Sequence, residues 1–291
     1  MDLKIKQRAA LSSYFFLAGL CFATWASRIP TIKTFFNFNE AELGTILLAM
    51  PISSMIGLPI SGWVISKFNS RIPIIISFLF FSISLILIGY ATTPFLLISA
   101  ICVFSFCMRL LNIAMNTQSI TLQKQFKKKI VSSFHGLWST GGLIGVGFST
   151  LMVKMQISIA HHLLIIAVLS LVVAFISFLY LIKGDKSTTG NKLILGKPDP
   201  FIFYLGILVF LAAVCEGGMF DWSGVYFKEV VHEDIFTYGY LSFMTCMAVS
   251  RFFSDKLMDV VGMAKTYYLS AILIASGVLI AIIFPTFWPS L

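Results

Sequence analysis

Apolar residues occur along this chain in long blocks, and polar residues gather between the blocks. A helix needs roughly 20 consecutive apolar residues to cross the hydrocarbon core of a bilayer. Nine segments meet that length: Leu11–Ile29, Leu43–Ile65, Ile72–Ala91, Phe95–Met115, Val131–Val153, Leu163–Ile182, Phe201–Phe220, Phe236–Phe253 and Thr266–Phe284. The pattern predicts an all-α polytopic membrane protein. The connections are short, except for the loop after the seventh segment and the stretch IKGDKSTTGNKLILGKPDP from Ile182 to Pro200. Lys183, Lys186, Lys192 and Lys197 give that stretch charge, and Ser187, Thr188, Thr189 and Gly190 give it nothing to bury. Such a segment does not offset its ordering entropy, so residues 183–199 read as a solvated linker. It separates a six-span unit, residues 1–182, from a three-span unit, residues 200–291. The last three spans look like a weak copy of the first three.

Composition agrees with the blocks. Of 291 residues, 58% are hydrophobic and only 11% are charged, and mean hydropathy is +0.93. So few charges would not cover a soluble domain of this size. Lys4, Lys6 and Arg8 precede a first apolar block that is too long for a secretory signal and lacks a small-residue cleavage site.

The net charge of +9 reads as membrane topology rather than as a nucleic-acid surface. Sixteen Lys and Arg residues fall on the N-terminal side of the alternating loops, the linker included, and four on the other: Arg28, Lys33, Lys154 and Lys228. The positive-inside tendency then puts the N-terminus and linker in the cytoplasm and Leu291 outside, across a cell (inner) membrane. The expected partners are the lipid bilayer, a small-molecule solute and protons, for a monomer. Five cysteines, Cys21, Cys102, Cys107, Cys215 and Cys246, all lie in apolar blocks without paired spacing, as free thiols would. His135, His161, His162 and His232 have no metal-binding context, so no metal or cofactor is expected.

Span two ends in Gly62-x3-Ser66-Lys67-x-Asn69-x-Arg71, and span eight ends in Asp255-x3-Asp259-x2-Gly262-x2-Lys265. An offset of 193 residues aligns Gly62 with Asp255, Ser66 with Asp259 and Asn69 with Gly262. Internal repeats of this kind mark secondary transporters. The first copy resembles the loop signature of the major facilitator superfamily, G-x-x-x-D-R/K-x-G-R/K-R/K. Gly62, Lys67 and Arg71 fit it. Ser66 stands for its Asp and Asn69 for its second Gly, whereas the second copy keeps Asp259 and Gly262.

Asn112-Ile-Ala-Met-Asn116-Thr-Gln118, Phe134-His135-Gly136-Leu-Trp-Ser-Thr-Gly141 and Trp25-Ala-Ser-Arg28-Ile-Pro30 resemble the fucose-permease-like branch and its uncharacterised inner-membrane relatives. The resemblance implies two helical bundles, alternating access between them and a small polar, sugar-like solute. It also implies twelve spans, against six plus three here. The sequence therefore carries the expectation of a C-terminal truncation, with the alternative that this polypeptide does not transport autonomously.

Charges inside a membrane are costly and are functional candidates. Arg109 in span four shares one helical face with Ser105, Asn112 and Asn116. That stripe either lines a central cavity, with Arg109 holding an anionic or hydroxyl-rich solute, or forms a structural hydrogen-bond network. Glu216 lies inside span seven, followed by Gly217 and Gly218, where the helix is expected to break, and by Asp221 and Trp222 at its exit. A carboxyl in apolar surroundings can take up and release a proton, which suits Glu216 and, second, Asp221 to proton-coupled transport. The alternative reading of Glu216 is an ordinary interfacial carboxylate, or one paired structurally with Arg28.

Arg28 reads as an interfacial anchor or as an external gate charge facing Asp221 or Glu216. Trp25 and Trp222 read as belt aromatics or, alternatively, as stacking platforms for a sugar. His135 either relays protons or bonds a helix end. Lys67 and Arg71 are expected to reach acidic groups or helix C-termini of the neighbouring bundle, and Arg251, Asp255 and Asp259 to pair among themselves. Gly141-x3-Gly145 in span five forms a face for close helix packing, and Pro51 and Pro59 are expected to kink span two. A remote enzymatic reading is that Asp255 and Asp259 hold Mg²⁺ in a membrane transferase.

Overall fold

The helices start where the sequence supplies caps. Asn39 accepts from Glu42 N while the Glu42 carboxylate accepts from Asn39 N, a reciprocal capping box. Thr93, Ser158 and Asp199 cap three further helices, and Pro94 and Pro200 occupy first helical positions, where a missing N–H costs nothing. The computed structural model describes residues 2–127, 130–185 and 199–291, with side chains at 132, 251–256 and 259 outside the description.

Eleven helices follow in the described residues: α1 (Leu3–Ala26), α2 (Ile29–Phe36), α3 (Glu40–Lys67), α4 (Arg71–Gly89), α5 (Pro94–Gln123), α6 (Val131–Lys154), α7 (Ile159–Phe178), α8 (Pro200–Glu229), α9 (Thr237–Val261), α10 (Met263–Ile283) and α11 (Phe287–Ser290). Eight spans, with α1 and α2 counted as one, are long and apolar enough to cross a membrane. The ninth expected segment is the 25-residue α9. The protein is a multi-pass helical membrane protein. Most of the expected linker, including Lys186, Lys192 and Lys197, lies outside the described residues, as do Lys128 and Lys129.

Two sequence expectations are corrected. The first span ends as helix α1 at Ala26, and the chain then enters a short helix, α2, rather than a loop. Pro30 sits in the first turn of α2, whose left-handed cap at Asn37 ends it after eight residues. Nor does α8 break at Gly217-Gly218. It runs unbroken for 30 residues, and added side chains at those glycines would touch nothing within 4 Å. The 28-residue α3 holds Pro51 and Pro59 in its interior.

The core lies among α1 to α7. α1 packs on α6 along the small-residue face. A Cβ on Gly19 would overlap the Trp138 carbonyl, one on Gly141 the Phe16 carbonyl, and one on Gly145 would lie 2.7 Å from the Leu20 carbonyl. Only glycine permits that backbone approach. α4 packs on α5 and α7, and α3 on α5. The later helices join through α6–α9 and α2–α8.

The described contacts of these later helices lie in the half of the molecule nearer α2 and reach mid-span, where Met244 meets Gly142. Along α8, residues 200–216 are exposed, whereas Phe220, Ser223, Val225 and Phe227 are buried. Along α9, Thr237, Tyr240, Met244 and Ala248 are buried, and Val249, Ser250, Leu257 and Val260 are exposed. Thr237 Oγ1 donates to Thr150 Oγ1 at 2.8 Å near the C-terminal end of α6. The two helix groups therefore touch at the α2 end of the molecule. Toward the end where α7 stops and α8 starts, the linker end, α8 stands exposed over residues 200–216.

Candidate functional site

Two structural features bound the space between the helix groups. The first is a polar clamp at the α2 end. The Lys33 ammonium, 8% exposed, bonds Glu40 at 3.0 Å and also pairs with Glu229 at the end of α8. Lys228 bonds Thr34 Oγ1 and reaches the Pro30 carbonyl at 3.5 Å. Each lysine ties α2 to α8. In the sequence Lys33 and Lys228 stand out only as loop charges. A lysine seven residues before Glu40 gives no hint of Glu229, 196 residues away.

The second is an aromatic cluster about two helical turns inward along α8. Phe220 is its hub, with ring centroids 5.3 Å from Phe22, 6.5 Å from Trp138, 5.7 Å from Tyr240 and 5.2 Å from Phe243. Glu216 is four residues before Phe220, so it lies on the same face of α8, about 6 Å nearer the linker end, and is exposed there. Asp221 follows Phe220 and is half-buried. Tyr240 is buried, with its ring edge-on to Phe220. The Trp222 ring crosses to α3, with a carbon 3.7 Å from where a Gly44 Cβ would stand. Trp222 is thus partly buried between helix groups rather than on the surface.

The stripe on α5 divides. Ser105 Oγ donates to the Met50 carbonyl at 2.6 Å, and Arg109 Nε donates to Ser54 Oγ at 2.7 Å. Gly57 admits the Arg109 stem, whose Cβ and Cγ lie 3.5 Å from a Cβ built there. These bonds join α5 to α3. Asn112 and Asn116 are half-buried, and no described residue bonds their side-chain amides.

Arg28 and Trp25 need correction as interfacial residues. Trp25 is 1% exposed and lies 6.1 Å from the Phe104 ring. Arg28 is 4% exposed; its Nε donates to His162 Nδ1 at 3.0 Å and its Nη2 to the Ile157 carbonyl at 2.9 Å. α5 and α7 pack on this end of α1, with Phe104 against Trp25 and His162 against Arg28. The guanidinium is engaged by α7 and the loop before it rather than by Asp221 or Glu216. His135 is exposed on α6, with its ring 5.5 Å from Phe15.

At the linker end, the Arg71 Nε and Nη2 donate to the Phe178 carbonyl at 3.2 and 3.0 Å, and the guanidinium lies 4.2 Å over the Phe178 ring. Phe178 ends α7, whose last carbonyls have no helical partner and attract a cation. Arg71 thus binds a helix C-terminus within its own helix group, not the neighbouring one, because α4 packs directly on α7. Asp185 accepts from Ser70 N at 2.9 Å and from the Ser70 hydroxyl, and Gln118 also donates to that hydroxyl. Lys67 lies 4.9 Å over the Trp63 ring, and Gly62 is exposed. Gly262 turns α9 into α10 at φ 89°, a conformation that favours glycine. The side chains of Arg251, Asp255 and Asp259 lie outside the described residues. Among the described residues no group of three His, Cys, Asp or Glu side chains is arranged to hold a metal.

Comparison with known proteins bears on what this arrangement is. An uncharacterised MFS-type transporter of Yersinia pestis is 28% identical over 280 residues, 96% of this chain and 73% of that protein. Membrane protein MosC of Rhizobium meliloti is 30% identical over 284 residues, 96% of this chain and 68% of that one. The crystal structure of a mutant of the nucleoside transporter NupG matches in fold at TM-score 0.64, with 17% identity, over 97% of this chain and 72% of that one. A second NupG structure matches at TM-score 0.56 with 17% identity, over 93% and 68%. A family model described as Major Facilitator Superfamily matches residues 11–291, and the chain belongs to that superfamily.

Proposed function

We propose that this chain is a secondary transporter of a small polar solute, coupled to protons, that works by alternating access between helices α1–α7 and α8–α11. The observation that carries the reading is one-sided contact. The helix groups are clamped at the α2 end by Lys33, Glu229 and Lys228, and α8 stands exposed over residues 200–216 at the linker end. The face of α8 that carries Glu216 opens toward that end. With the linker end cytoplasmic, as the distribution of Lys and Arg indicates, this is an inward-facing state.

In this reading Glu216 is the proton carrier. It sits one turn from the clamped aromatic cluster, where closure of the linker end would take it out of water. A carboxylate there gains by accepting a proton before closure. Asn112, Asn116 and the unused donors of Arg109 offer hydrogen bonds to the solute from the opposite helix group. The transporter family and the transporter-named relatives support this reading over a Mg²⁺-dependent transferase.

The test uses proteoliposomes loaded with a library of small solutes. An imposed pH gradient is expected to drive uptake by the wild-type chain. Glu216→Gln is expected to abolish that uptake and leave solute exchange measurable. Unchanged gradient-driven uptake in the variant would remove Glu216 from the mechanism.

A further inference from the structure

α1 and α7 are bonded to each other deep in the helix group. The Tyr14 hydroxyl donates to the Ala174 carbonyl at 2.8 Å, and Cys21 Sγ donates to Ser170 Oγ at 3.4 Å. Beyond Tyr14, toward the linker end, α1 presents Ala9, Ala10 and Ser13, whose short side chains do not fill the space beside α7. A groove of about 290 Å³ is left, completed by Lys6 on α1 and by Ile176, Ser177 and Tyr180 at the end of α7.

The polar lining of this groove consists of donors without acceptors. Ser177 is 7% exposed, and its hydroxyl has no hydrogen-bond partner among the described residues. Ser13 instead donates to the Ala9 carbonyl of its own helix. A donor buried without an acceptor favours a ligand that brings one. Lys6 is exposed and pairs with no acidic side chain among the described residues. Its ammonium lies 5.7 Å over the Tyr180 ring, which keeps the charge at the groove. The neighbouring charges are engaged elsewhere: Asp2 pairs with Lys4 at 3.2 Å, and Arg8 Nη2 donates to Ser133 Oγ at 3.3 Å. No carboxylate lines the groove. Its outer wall is apolar. Ile176 is 59% exposed, and Phe175 and Leu179 beside it are exposed as well, on a helix that crosses the bilayer.

We propose that the α1–α7 groove binds an anionic phospholipid, with its phosphate between Lys6 and Ser177 and an acyl chain along Phe175, Ile176 and Leu179. The ammonium and the hydroxyl both donate to the phosphate oxygens, and basic pockets between helices at a membrane surface recognise head groups in this way. A soluble phosphate would use those two donors alone, whereas the lipid also covers the apolar wall. A choline phospholipid brings its own cation, which Lys6 repels. The site requires a bilayer around the helices and is independent of the solute carried.

The test uses the purified full chain, delipidated in neutral detergent and titrated with phosphatidylglycerol or phosphatidylcholine of identical acyl chains, with binding read by native mass spectrometry. Phosphatidylglycerol is expected to bind about fivefold more tightly, the gain from one lysine beside an anionic head group. Lys6→Gln is expected to erase that preference, Lys4→Gln to keep it, and Ser177→Ala to weaken phosphatidylglycerol binding about threefold. Inorganic phosphate at the same concentration is expected not to displace the lipid. On the wild-type chain, phosphatidylglycerol with a photoreactive head group is expected to label the first turns of α1 and the last turn of α7. Equal binding of the two lipids, or labelling confined to other helices, would overturn the proposal whether or not any variant folds. So would a Lys6→Gln protein that keeps the preference, and displacement by inorganic phosphate would show a site for a free anion instead of a lipid.

Discussion

Removing Lys33 isolates the contact that shuts the α2 end. Its ammonium pairs with Glu40, next to α2 in the same helix group, and with Glu229, across the gap on α8. The Glu229 side chain is 35% exposed and the Glu40 side chain 69% exposed, so solvent screens both pairs. The cross-gap pair is therefore worth about 1 kcal/mol, the upper end for exposed ion pairs. If that energy is absent when the α2 end opens, Lys33→Ala raises the open population about fivefold. The reporter is Gly44→Cys in a background lacking the native cysteines. A Cβ at Gly44 meets only the Trp222 ring, at an ordinary 3.7 Å, so the substitution fits. An impermeant thiol reagent added from the α2 side should modify it about fivefold faster in Lys33→Ala and in Glu229→Gln. Glu40→Gln removes an equal charge but no bond across the gap, and should change the rate little. Equal rates in all variants, or acceleration by Glu40→Gln alone, would refute the reasoning.

Other consequences are smaller but direct. Gly141→Ala should destabilise the fold by about 1–3 kcal/mol, because its methyl overlaps the Phe16 carbonyl; Gly136→Ala, which meets nothing within 4 Å, should not. Thermal unfolding in detergent compares the two. Arg71→Ala should cost about 1–3 kcal/mol through the two bonds lost at the end of α7, with Arg71→Lys recovering only part because a lysine lacks the forked donor. Hydrogen exchange should locate that loss in the last turn of α7. Gly262→Ala should loosen the α9–α10 turn, since φ 89° is costly for a residue with a Cβ, and proteolysis at that turn should accelerate.

The fold was largely legible in the apolar blocks, because a helix in lipid satisfies its own backbone and declares itself by length alone. The boundaries were less so: span one was read as ending at Ile29, whereas Pro30 opens a further helix. Partners across the fold were the least legible. The sequence offers Arg28 as an interfacial anchor or, second, as a gate charge facing acidic groups on span seven, yet the side chain is buried and held by His162. Arg71 was aimed at the neighbouring bundle, but the end of α7 lies beside it. Glu216 and Asp221 stood out as rare intramembrane acids. Tyr240, Phe22 and Phe243 did not, because an aromatic residue in an apolar block carries no signal until its neighbours are known. Neither did the clamp of Lys33 and Glu229, whose members lie 196 residues apart.

The central claim is that the Glu216 face of α8 is open at the linker end and shut at the α2 end. Thiol labelling of Glu216→Cys, with the native cysteines removed, tests it most directly. An impermeant maleimide is applied to right-side-out and to inverted membrane vesicles. The account predicts rapid labelling in inverted vesicles, where the linker end faces the reagent, and protection in right-side-out vesicles. Labelling that is equal from both sides, or faster from outside, would contradict it.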